Sequence, residues 1–155
     1  MTRRPLTRLA FVWLAAALLA PALPARAADT AQEEANKKVV VDFYEKAINQ
    51  KDFEAASKYF GNRYVQHNPG AADGPEGLKA FLGFLKEKFP QSRSEIKRVF
   101  ADGDYVILHV HAVREPGTRG SAIVDIFKLE GGKIVEHWDV VQPIPEKAAN
   151  SNGMF

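Results

Sequence analysis

Between residues 93 and 142 the chain consists of four strand-length segments joined by three short turns, and this run restricts the fold more than any other feature. The segments are 93–101, 104–114, 120–129 and 133–142. The joints are Asp102-Gly103, Pro116-Gly117 and Glu130-Gly131-Gly132. Three successive hairpin signals predict an antiparallel meander. Such a sheet needs a cover, and the preceding residues supply one. Ala35, Val39, Val40, Phe43 and Ala47 recur at helical spacing within 31–49. Lys51-Asp52 begins a shorter helix through Phe60, and Gly61 stops it. Gly74-Pro75-Glu76 opens a third, with Leu78, Phe81, Leu82 and Leu85 on one side. Tyr64 to His67 reads as a short extended piece before the turn Asn68-Pro69-Gly70. Helices first and sheet second is an α+β arrangement. Three N-terminal helices packed on a curved antiparallel sheet would form a cone-shaped barrel enclosing a cavity.

The start of the chain stands outside that pattern. Arg3, Arg4 and Arg8 precede an apolar run from Leu9 to Leu23, and Ala25-Arg26-Ala27 fits a small-x-small cleavage site. The expected division is a signal peptide over 1–27, an α+β domain over 28–145 and a polar tail over 146–155. The expected location is periplasmic or secreted, with no membrane association after cleavage. Four of the 21 basic residues lie in the signal, which leaves 17 against 19 acidic ones. A slightly acidic domain without basic–aromatic interleaving does not suit nucleic acid. Zero cysteines exclude disulfides, thiolate metal sites and a thiol nucleophile. Any chemistry falls to His, Asp, Glu, Tyr or a bound cofactor.

Polar residues interrupt the apolar strands at informative places. His109 and His111 share a face of the most apolar strand. Asp125 sits inside Ile123-Val124-Asp125-Ile126-Phe127, where an ionised carboxylate would be costly unless paired or protonated. His137 and Asp139 share one face of the last strand, and Glu136 and Trp138 the other. Turn length decides whether His137 lies on the side of Asp125. A two-residue loop sets Asp125 opposite Trp138, and a three-residue loop sets it opposite His137. Both are common. Phe127 and Trp138 read as core and pocket wall. The segment 104–114 is apolar on both faces, which predicts a second layer supplied by another copy of the chain, a homodimer.

Phe43-Tyr44, Asn49 to Phe53, Tyr64 to Pro69, Gly74 to Gly77, Val124 to Lys128 and Gly132 to Asp139 together resemble the SnoaL-like group of the nuclear transport factor 2-like superfamily. The resemblance spans nearly all of 28–155. It implies the cone fold, a small hydrophobic or carbonyl-containing ligand, and either acid–base catalysis without a cofactor or binding without turnover. Similarity to ketosteroid isomerases implies that Tyr44 and Asp125 take oxyanion-hole positions and that Asn68 replaces the base. His67 or a histidine across the cavity would then act instead. It also turns His137 and Asp139 toward the cavity, in favour of the three-residue loop. Similarity to polyketide cyclases implies Asp125 as general acid/base with His111, and His109 in the same row. The expected catalytic set is Asp125, His111, His67 and Tyr44. The expected substrate contacts are His109, His137, Asp139, Asn68, Phe127 and Trp138. A histidine-rich metal site is the lesser alternative.

Overall fold

A computed structural model describes residues 27–155, with side chains from residue 31 onward. The signal-peptide reading therefore lies outside the described residues. The elements are α1 (Ala27–Tyr44), α2 (Phe53–Ser57), β1 (Phe60–Gln66), α3 (Gly74–Lys88), β2 (Arg93–Asp102), β3 (Tyr105–Val113), β4 (Ser121–Glu130) and β5 (Lys133–Pro143). A π-helical turn, Glu45–Asn49, extends α1.

The α+β reading holds, and so does the four-strand meander. The sheet has five strands, however, in the order β1-β5-β4-β3-β2. The added edge strand, β1, runs parallel to β5, so the sheet is mixed rather than wholly antiparallel. The expected second helix ends early because the chain turns into β1 at Phe60. There Tyr59 O accepts the Ile134 N–H at 2.9 Å. Gly61 then passes so close to β5 that a β-carbon would meet Val135 Cγ1 at 2.8 Å. The sheet is open at β1 and β2, and the helices cover one face to complete the cone.

That face carries the core. Val106, Leu108 and Val110 of β3, Phe127 and Leu129 of β4 and Ile134 of β5 pack against Val40, Phe43 and Ala47 and against Leu78, Leu82 and Leu85 of α3. α1 is anchored over the β2–β3 turn, where Asn36 Nδ2 donates to Gly103 O at 3.3 Å and Gln32 Nε2 to Asp104 Oδ1 at 2.7 Å. α3 starts with Pro at its first turn, where a missing N–H costs nothing. Asp73, just before it, accepts the Gln66 N–H at 2.8 Å and ties the helix start to β1. Gly77 is required there, because a β-carbon would lie 1.9 Å from Ala72 O.

The β4–β5 hairpin follows neither anticipated register. Glu130 pairs with Lys133 across a two-residue turn, and Leu129 pairs with Ile134. The register then shifts, so that Lys128 pairs with Glu136 and Asp125 with Asp139. Val135 is the extra residue of a β-bulge, and it is buried beside Ile134. One added residue reverses which side the rest of the strand presents. His137 and Asp139 therefore share the cavity face with Asp125, the outcome the three-residue loop would give by another route.

Candidate functional site

The helices and the sheet enclose a cavity of about 990 Å³. Asp125, His137, Asp139, Asn68, Tyr44 and Phe127 all line it. Asp125 is only 4% exposed, and its Oδ1 lies 3.0 Å from His137 Nε2. The other ring nitrogen, Nδ1, lies 3.0 Å from Gln66 Oε1. The parallel β1–β5 pairing makes this contact, since Gln66 and His137 are register partners.

Gln66 fixes the proton arrangement. Its Oε1 accepts the Asn68 backbone N–H at 2.8 Å, and its Nε2 donates to Tyr64 Oη at 3.2 Å. The oxygen therefore faces His137, and Nδ1 must carry a hydrogen to donate. Nε2 is left to meet Asp125. It accepts from a protonated carboxyl or, as imidazolium, donates to a carboxylate. Either way one proton lies between the two groups. Burial pushes the Asp125 carboxyl above its ordinary value; the His137 contact opposes the shift, nearby Asp139 adds to it, and Tyr44 opposes it weakly. Asp125 Oδ2 is buried and has no hydrogen-bond partner among the described residues.

The two tyrosines nearby are held neutral. Burial first, then the charge of Asp125, pushes the Tyr44 phenol well above its usual value. The same causes raise Tyr64. Tyr44 closes α1 just before the π turn, a local irregularity that recurs at functional sites. The turn ends at Asn49, which donates to Ser94 O at 3.0 Å and accepts the Ser94 N–H at 2.8 Å. This reciprocal pair locks the end of the first helical segment to β2. Asp139 is equally constrained: Asn68 Nδ2 donates to its two oxygens at 2.6 and 2.7 Å. Asn68 is itself set by accepting the Gly70 N–H at 2.6 Å.

The remaining expected site residues lie on the other side of the sheet. His109 and His111 pair with Val124 and Ala122 of β4, on the face opposite Asp125. His109 Nδ1 is 3.0 Å from Arg98 Nη1, and both rings contact Phe155 from the tail. His111 Nε2 donates to Arg119 O at 2.8 Å. His67 stacks on Trp138 at 4.4 Å and lies 3.3 Å from Glu136 Oε2. None of these four lines the cavity. His111 thus stands across the sheet from the carboxyl it was expected to assist, and His137 takes that position.

The split also separates the histidines as metal ligands. Among the described residues, the set within ligand reach is Asp125, His137 and Asp139, whose donor atoms lie within 4.8 Å of one another. To chelate a cation they would have to give up the Asn68 bonds and the bond between Asp125 and His137.

Gln66 is the functional residue that the sequence reading missed. Alternation along 64–68 puts Tyr64, Gln66 and Asn68 on one side and His67 on the other. Placing Asn68 inside therefore places Gln66 inside and His67 outside.

The family model described as "SnoaL-like domain" matches residues 40–137, more than half of the chain. Comparison with curated proteins finds no match. Solved structures share the fold at low identity. A protein of Acidithiobacillus ferrooxidans, provisionally assigned as a polyketide cyclase, is 22% identical with a TM-score of 0.58 over 69% of this chain and 87% of its own. AclR of Streptomyces galilaeus, provisionally assigned as a hydroxylase, is 20% identical with a TM-score of 0.60 over 73% and 82%. An NTF2-like protein of unknown function from Cytophaga hutchinsonii is 20% identical with a TM-score of 0.55 over 70% and 90%.

Proposed function

The chain belongs to the SnoaL-like domain family, and from that premise we propose that it is a cofactor-free acid–base enzyme acting next to a carbonyl group. The reading is an aldol-type cyclase, isomerase or lyase. The observation that carries it is the buried Asp125–His137 pair in the cavity wall, which shares one proton while Asp125 Oδ2, itself buried, has no hydrogen-bond partner among the described residues.

The chemistry follows from the pair. In the ion-pair form, the Asp125 carboxylate takes a proton from the carbon beside the ligand carbonyl. The C–H electrons move into the enolate, and the carbonyl oxygen gains the charge. The neutral Tyr44 phenol donates to that oxygen. His137 stays protonated on both nitrogens and balances the site. The proton on Asp125 then returns to another carbon in an isomerisation. In an aldol closure it goes instead to the alkoxide formed when the enolate attacks a second carbonyl.

The test is hydrogen exchange. A panel of ketones and β-dicarbonyls is incubated with the protein in D2O, and the α-hydrogen signals are followed by NMR. The wild-type chain should accelerate exchange of at least one compound, and Asp125→Asn should not. Equal exchange by both proteins would overturn the assignment.

One observation favours binding without turnover. Asn68, at the position where a base would stand, holds Asp139 through both carboxylate oxygens and so withdraws the second acid of the cavity. The same cavity would then hold a small ligand unchanged. Two further parts of the proposal rest on the sequence and on the outer sheet face. The pattern of residues 1–27 supports export and cleavage after Ala27. Phe100, Tyr105, Val124 and Val140 stand exposed on the outer face and support a homodimer meeting there.

A further inference from the structure

One corner of the cavity mouth collects positive charge that forms no ion pair with a carboxylate among the described residues. Ser92, Arg93 and Arg114 line the cavity there together with Phe89. The Ser92 N–H donates to Phe89 O at 2.9 Å, and Arg93 pairs with Val113, next to Arg114. The Arg114 guanidinium lies 5.7 Å from the centre of the Phe89 ring. Beneath them the Lys51 ammonium donates to Ser92 O at 3.1 Å and to Asn49 O at 3.4 Å. Lys51 is 9% exposed. Burial lowers its pKa, and the charge of Arg93 lowers it further.

None of the three cations has an ion-pair partner among the described residues. Glu115 and Glu146 also line the cavity without pairing to them. Ser92 Oγ is buried and has no hydrogen-bond partner among the described residues. A buried hydroxyl left unsatisfied is unfavourable, and the two exposed guanidiniums of Arg93 and Arg114 keep their donors free for a ligand. An oxyanion would accept from the hydroxyl and from both guanidiniums.

We propose that Ser92, Arg93 and Arg114 form an anion subsite, so that the ligand of this cavity is an elongated organic acid with an apolar body. The proposal rests on the reading of the cavity as a ligand site. It adds a length. Asp125 pairs with Leu108 and Arg93 with Val113, five residues further along β3. At about 3.3 Å per residue the two levels lie roughly 17 Å apart. The arginine side chains reach across part of that distance. The acid group therefore binds at the mouth while the reacting carbon lies at the Asp125 level.

The test uses two dyes that share an anilinonaphthalene body. 8-Anilinonaphthalene-1-sulfonate carries an anion, and N-phenyl-1-naphthylamine does not. Both are titrated into the full chain by fluorescence. The anionic dye should bind about tenfold more tightly, and the Arg93→Gln, Arg114→Gln double variant should remove that preference while binding of the neutral dye is unchanged. The corresponding double Lys variant keeps the charge and should keep most of the preference, which separates the effect from a folding defect. Arg98→Gln, on the outer face, should change nothing. Equal affinity for the two dyes, or an equal loss with Arg98→Gln, overturns the anion subsite and leaves the cavity reading standing. Failure of both dyes to bind overturns the ligand cavity itself.

Discussion

Replacing Asn68 with Ala tests the geometry of the site most sharply by stability. Asn68 Nδ2 donates to both oxygens of Asp139, at 2.6 and 2.7 Å, and Oδ1 accepts the Gly70 N–H. Alanine deletes all three bonds. A hydrogen bond to a charged group contributes about 1.5–3 kcal/mol, and Asp139 is only half-buried, so the low end applies and the two together give roughly 3 kcal/mol. The Gly70 N–H is exposed and turns to water at little cost. For a domain of this size about 4 °C accompanies each kcal/mol, so Tm should fall by roughly 12 °C. Asn68→Asp removes the donors and adds a like charge facing Asp139, so it should be at least as damaging at neutral pH. Urea denaturation followed by circular dichroism measures both. A loss below about 1 kcal/mol for Asn68→Ala would refute the reasoning, because Asp139 would then be held by water rather than by Asn68.

Other outcomes follow from the same structure. Burial raises the Asp125 carboxyl, so the folded chain holds that proton more tightly than the unfolded one. The resulting stability is present below the ordinary carboxyl value and declines as pH rises through the raised one. Asp125→Asn should flatten that decline in a urea series from acid to neutral pH, while its amide N–H still donates to His137 Nε2. Gly77→Ala should cost about 2–4 kcal/mol or prevent folding, since its β-carbon would meet Ala72 O at 1.9 Å. Val140 is 70% exposed on the outer face, and Val140→Lys should convert the proposed dimer to a monomer in light scattering. Mass spectrometry of the chain recovered from an exported fraction should show a first residue of Ala28, and a retained 1–27 segment would contradict the export reading.

The elements legible in the sequence are those whose signals are local. The β2–β5 boundaries follow from glycine turns and alternation, and α3 from its Pro and its apolar stripe. β1 is different. Its pairing with β5 is parallel and distant in sequence, and Phe-Gly-Asn-Arg carries no alternation to announce it. The bulge at Val135 was equally hidden, because turn length alone offers two registers and the chain takes a third. Ile134-Val135 is a pair of adjacent apolar residues, but Val140-Val141 repeats that pattern in the same strand without a register shift, so the pair does not mark the bulge. The site divides in the same way. Asp125 stood out because an apolar run has no use for a carboxylate, and His137 and Asp139 followed once their face was known. His109 and His111 share a face, as their spacing requires, but spacing does not say which face. Register with β4 turns them outward, and Phe155 covers them. His67 is expected to replace the base missing at Asn68 on the ketosteroid-isomerase resemblance, yet alternation from Tyr64 directs it away from the cavity and toward Trp138.

The central claim is that Asp125 and His137 share one proton while Gln66 keeps Nδ1 protonated. Nitrogen-15 NMR of the histidine-labelled chain reads both ring nitrogens directly, with His137→Gln to assign the signals. Nδ1 of His137 should stay protonated at every pH where the chain is folded, and the Nε2 signal should shift when Asp125 is replaced by Asn. A neutral His137 carrying its proton on Nε2, with Nδ1 bare, would contradict it.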